Sequence, residues 1–148
     1  MSDRTSGGLF LPDAETLAME APPPPAFAKP QEPQGEGIRI DAGFVSPYFV
    51  TDVDRWWVEL DRPEVVVFER TVELNDLVPI AEAAAATAKP FLVAAPAVSA
   101  EARTLLVINK LRGILHVSAI ETPRAAELKG LTPTKVICGL STTLISAA

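Results

Sequence analysis

Apolar positions along residues 38–148 come in short blocks whose spacing switches between that of strands and that of helices. Residues 44–50 read as extended chain interrupted by Pro47, and residues 55–60 and 64–69 as two strands joined at Asp61-Arg62-Pro63. The run Val65-Val66-Val67-Phe68 lacks polar alternation, the pattern of a short strand buried on both faces. Asn75-Asp76 offers a helix N-cap with an acid near the positive helix end, and residues 77–88 follow as the helix. Pro79 then falls in the first turn, whose N–H groups have no partner inside the helix, and Lys89-Pro90 ends the element. Residues 91–95 form another short buried strand. Ser99 caps a second helix that runs to about Arg112 and stops at Gly113. Residues 115–120 read as a strand, residues 125–129 as a helical turn, and residues 135–138 and 142–146 as a final strand pair. Strand–helix–strand–helix–strand order implies α/β layering with additional strands at either end.

The second helix carries Leu105, Leu106, Val107 and Ile108 in succession, so apolar side chains surround its axis. Such a helix is buried on two sides or offers apolar surface to a partner, and composition alone favours burial. Residues 1–37 differ in character. They hold seven of the 14 prolines, including Pro22-Pro23-Pro24-Pro25, a run that favours extended polyproline II without internal hydrogen bonds. The expected organisation is therefore a flexible proline-rich arm over 1–37 and a folded body over 38–148.

Composition narrows the function classes. The 148 residues are 48% hydrophobic and 22% charged, enough for one domain with a real core. A formal net charge of −6 argues against a sequence-independent nucleic-acid binder, which needs a cationic face to displace phosphate counterions. Cys138 is the single cysteine, so no internal disulfide can form, and the expected setting is a reducing compartment: cytoplasm, or an organellar matrix or stroma. No apolar segment follows Met1-Ser2-Asp3-Arg4-Thr5, so a secretory signal is not expected, and no run approaches the roughly 20 apolar residues of a membrane-spanning helix. His116 is the one histidine, with no second ligand near it in sequence, and it reads as structural or solvent-facing. Cys138 reads as a small buried apolar residue. Neither a catalytic pair nor a metal site nor a phosphate loop is expected. Trp56-Trp57 on a strand would point to opposite faces, leaving one outward as a sheet-edge cover or an interface anchor.

The segment Gly37-Ile38-Arg39-Ile40-Asp41-Ala42-Gly43-Phe44-Val45-Ser46-Pro47-Tyr48-Phe49-Val50-Thr51 resembles the start of the apical, polypeptide-binding domain of GroEL-type (group I) chaperonins, with its G-[YF]-x-S-P-Y-F stretch. Asn75-Asp76-Leu77-Val78-Pro79-Ile80 is similar to the family's first groove helix, and Ala88-Lys89-Pro90-Phe91-Leu92-Val93 to the strand after it. Val107-Ile108-Asn109-Lys110-Leu111-Arg112-Gly113 resembles the end of the second groove helix, and residues 131–148 the returning strand pair. The resemblance covers residues 38–148. It implies a three-layer β/β/α apical fold that binds non-native protein or a co-chaperonin in an apolar groove, with Phe44, Tyr48, Phe49, Val78, Val107 and Ile108 as groove residues. Two positions depart from the family's leucines: Ala81 removes contact area and Arg103 adds charge. The family's nucleotide motif is absent from these residues, so no ATP or other cofactor is implied.

A shorter likeness lies in the arm. Arg4-Thr5-Ser6-Gly7-Gly8-Leu9-Phe10-Leu11-Pro12-Asp13 resembles the mobile loop of the co-chaperonin GroES, which places an apolar tripeptide in the apical groove. Leu9, Phe10 and Leu11 are then groove-docking residues, and one chain carries both a groove and a segment fit for it. The resulting expectation is a non-enzymatic protein-binding module without ATPase activity. Its partners would be non-native polypeptide, a chaperonin or co-chaperonin, or a larger complex, with neither nucleic acid nor membrane insertion. The alternative is a structural accessory subunit that reuses the fold without chaperone activity.

Overall fold

A computed structural model describes residues 5–6, 8–18 and 31–147. The chain is mixed α/β, with two larger sheets and three α-helices among the described residues. A parallel sheet of order β5-β6-β7 joins β5 (Glu64–Val67), β6 (Phe91–Ala95) and β7 (Val117–Glu121). An antiparallel sheet of order β3-β9-β8-β4 joins β3 (Ile38–Ile40), β9 (Thr143–Ala147), β8 (Pro133–Cys138) and β4 (Val58–Asp61). The continuous apolar run of β6 makes it the centre of the parallel sheet, and all five of its residues are buried.

The crossovers β5–α2–β6 and β6–α3–β7 step in one direction across the sheet. With the usual right-handed connection, that lays α2 (Leu74–Thr87) and α3 (Ala100–Leu111) on the same face, where they pack on each other. The residues leading into the two helices are tied together. Val72 N–H donates to Ala97 C=O at 2.9 Å and Ser99 N–H to Val72 C=O at 2.9 Å. Ser99 caps α3, its Oγ accepting from Ala102 N–H at 3.2 Å, and Gly113 leaves the helix at φ +75°, as the sequence implies.

Several local expectations change. α2 begins three residues early, because Asp76 acts inside the first turn: its carboxylate accepts from Glu73 N–H at 2.9 Å and from both Arg70 guanidinium nitrogens at 2.7 and 2.8 Å. Pro79 consequently lies in the second turn, where its missing N–H removes a bond to Asn75 C=O. β4 and β5 do not form a hairpin. Arg62 turns the chain at φ +49°, β4 pairs with β8, and β5 pairs with β6 in the other sheet. Residues 65–68 are half-buried rather than buried on both faces, since β5 is a sheet edge. Residues 47–49 form a 3-10 turn rather than extended chain, with Ser46 Oγ accepting from Tyr48 N–H at 3.2 Å. Trp56 and Trp57 fall in a turn closed by Asp52, so strand alternation does not govern them. Trp56, at φ +59°, is only 8% exposed, and Trp57 is half-buried beneath the Arg55 guanidinium at 5.3 Å. Trp56 therefore anchors this turn in the core, while Trp57 lies partly exposed outside it under Arg55.

Phe44 joins the two sheets. It bridges to Ile120 at the free side of β7, and Val45 N–H donates to Ala119 C=O at 2.9 Å. The close approach there needs glycine at 43, where a Cβ would lie 2.1 Å from Leu140 O.

Candidate polypeptide-binding groove

The buried face of α3 follows helical spacing: Ala102, Leu105, Leu106 and Asn109 lie at i, i+3, i+4 and i+7. On α2 the buried residues are Leu77 and Ala81, and Ala85 continues the same stripe half-buried. The stripe shrinks from leucine to alanine along the helix. The alanines leave room for a third backbone beside α2, and the chain's own N-terminal residues occupy it.

Residues 8–18 are docked on this face. β1 (Thr5–Ser6) and β2 (Leu9–Phe10) form a small antiparallel hairpin, and α1 (Ala14–Ala18) follows it. β2 lies against both α2 and α3, and α1 against α3. Gly8 turns the hairpin at φ +92°, and a Cβ there would sit 3.8 Å from the Ala85 Cβ. Leu9 is 0% exposed and Leu17 is buried, both within the single apolar core, while Leu11 is half-buried against it. Full burial of one leucine contributes about 1.5–3 kcal/mol. The arm expected over 1–37 is therefore held against the body at its described stretches. Its second stretch is held too: Gln31 N–H donates to Arg55 C=O at 3.0 Å and the Ser141 hydroxyl to Glu32 at 3.0 Å. The proline run 22–25 lies outside the described residues.

Polar specificity comes from Asn109, which is 0% exposed. Its Oδ1 accepts from Phe10 N–H at 2.7 Å and its Nδ2 donates to Phe10 C=O at 2.8 Å. The remaining amide hydrogen goes to Leu105 C=O at 2.9 Å. The amide thus pairs with an extended backbone as a neighbouring strand would, whatever side chain that backbone carries. Phe10 itself is half-buried under Arg112, whose guanidinium lies 3.9 Å from the ring centroid, worth about 0.5–1 kcal/mol at an exposed site.

The expected groove residues divide. Val78 on α2 and Val107 on α3 lie on the packed helix pair, Val107 buried and Val78 half-buried. Ile108 is half-exposed and outside the core cluster. Tyr48 and Phe49 belong to the 3-10 turn that packs on α3, where Lys110 Nζ donates to Val50 C=O at 3.1 Å. Burial pushes the Lys110 amine below its ordinary value. Phe44 sits between the sheets and not at the helix pair. Asn109 and Arg112 were not singled out from the sequence. The signal for Asn109 is a lone amide on an otherwise apolar helical stripe, which calls for a specific buried partner.

His116 is exposed, and Cys138 is fully buried in β8, where burial pushes its thiol up. Among the described residues no group of three His, Cys, Asp or Glu side chains is placed to hold a metal ion, and no helix is long and apolar enough to cross a membrane. No protein-family model matches the chain.

Proposed function

We propose that this chain is a non-enzymatic protein-binding module, related to a chaperonin apical domain, that takes extended apolar segments between α2 and α3. The observation that carries this reading is the seated hairpin: a buried leucine beside a stripe of alanines, with Asn109 gripping the next residue's backbone. Apolar burial is non-directional and the clamp reads only main chain, so many sequences with a glycine followed by apolar residues satisfy the site. The resemblance of residues 38–148 to the apical domain, and of residues 4–13 to a co-chaperonin loop, supports the same reading. The experiment is titration of a labelled co-chaperonin-type loop peptide into the chain, with Asn109→Ala and Val107→Glu as controls. Saturable binding weakened by both substitutions is expected. Absence of binding with the arm removed from the groove refutes the reading.

A second reading, a structural accessory subunit without chaperone activity, draws on β5. This strand ends the parallel sheet with half-exposed valines, beside a hollow of about 660 Å³ lined by Val65, Val67, Pro79, Ile80 and Ala83. An open apolar edge is a pairing surface. Purification from the native source as a lone monomer contradicts this second reading.

A further inference from the structure

We propose that residues 5–18 are a built-in competitor: they fill the groove in cis, and an outside segment enters only when they leave. This rests on the reading of the groove as a polypeptide site.

Three observations carry it. The occupancy is exclusive, because Phe10 takes Asn109 Oδ1 and one amide hydrogen while Leu105 C=O takes the other. Both amide hydrogens are taken, so a second backbone carbonyl finds no donor on Asn109, and the space beside Ala85 already holds Gly8. The occupant is also separable, since its hairpin is a two-stranded sheet joined to neither larger sheet. Its removal breaks no ladder of the body. Finally, the occupant is covalently attached: residues 19–30 link the docked stretch to Gln31, and their sequence includes Pro22-Pro23-Pro24-Pro25. Such a tether supplies an effective concentration on the order of 1 mM. If the untethered segment has a Kd on the order of 10 μM, about 1% of grooves stand open, and outside binding weakens roughly 100-fold. The competing ligand is a chain of the same chemistry: a glycine for the positive-φ turn, a leucine to bury, and a free main-chain N–H and C=O at the next residue for Asn109.

The test uses the full chain with a protease-cleavage sequence replacing Pro22–Pro25, and a fluorescent peptide of residues 5–18 as probe. Uncut protein is expected to bind the probe weakly. After cutting and dilution to nanomolar concentration, the arm should leave and the probe Kd tighten about 100-fold. Leu9→Asp in the uncut chain, which places a charge at a buried position, should produce a similar gain. Equal probe affinity before and after cutting overturns the competitor while sparing the groove. A cut arm that stays bound through gel filtration at nanomolar concentration also overturns it, marking a fixed structural element. A cut chain that keeps its circular dichroism, loses its arm and still binds no probe overturns both the competitor and the groove reading.

Discussion

Asn109→Ala isolates the polar half of arm docking. The substitution removes three hydrogen bonds, two to Phe10 and one to Leu105 C=O in the same helix. At about 1 kcal/mol net for each bond, the two that reach the arm contribute about 2 kcal/mol. Phe10 is half-exposed, so its released N–H and C=O can turn to water and the penalty stays near that figure. At about 1.4 kcal/mol per decade, the population with the arm undocked should rise roughly 30-fold. Native-state hydrogen exchange reads this directly. The Phe10 amide should exchange about 30-fold faster, together with amides of residues 14–18. Amides of β6, buried at the centre of the parallel sheet, should follow only the global stability. A second substitution sharpens the result. Leu9→Ala alone also undocks the arm, so the pair should be less than additive once the arm is already free. Unchanged exchange at Phe10 in Asn109→Ala, or strict additivity with Leu9→Ala, refutes the account of the clamp.

Leu9→Ala itself should cost about 2–5 kcal/mol in arm docking, because Leu9 is fully buried, and a urea titration should show either a lower midpoint or a separate early transition. Asp76 is held at about 2, against 3.8 ordinarily, chiefly by its hydrogen bonds to Arg70 and then by Glu73 N–H. The folded-state value lies below the unfolded one, so the contribution is present above about pH 4 and disappears as pH falls toward about 2. A carboxyl NMR titration should show the low midpoint, and Arg70→Ala should return it toward 3.8. Cys138 is fully buried with its thiol pushed up, so thiol reagents should label native protein only at the rate of opening, and fast stoichiometric labelling contradicts that burial.

The elements that sequence reasoning located best are those fixed by local chemistry. Ser99 and Gly113 bound α3, and the unbroken apolar run of residues 91–95 makes a central strand. What escaped was long-range. Asp61-Arg62-Pro63 does join two strands, yet nothing local shows that they pair with β8 and β6, far along the chain, in different sheets. The start of α2 lies earlier than Asn75-Asp76 implies, because the stronger cap uses Asp76 from inside the first turn. Val107 was expected at the groove and lies on its helix, but buried. Phe49 packs on the other flank and Phe44 between the sheets, because residue type alone does not separate a groove wall from the core behind it. Asn109 is hard to read from sequence because one amide among Val107, Ile108 and Lys110 looks like an ordinary surface position, and only the stripe Ala102, Leu105, Leu106 shows it faces inward.

The pairing of β3 with β9 sets the mechanics of the body. Ile38 lies opposite Ile145, with the strands antiparallel, so the start of β3 and the end of β9 sit side by side at the same end of one ladder. A pulling force between residues 38 and 147 therefore peels that ladder bond by bond instead of loading all its bonds in shear. Force along this axis should open that seam first, one residue pair after another, because it is only three pairs long.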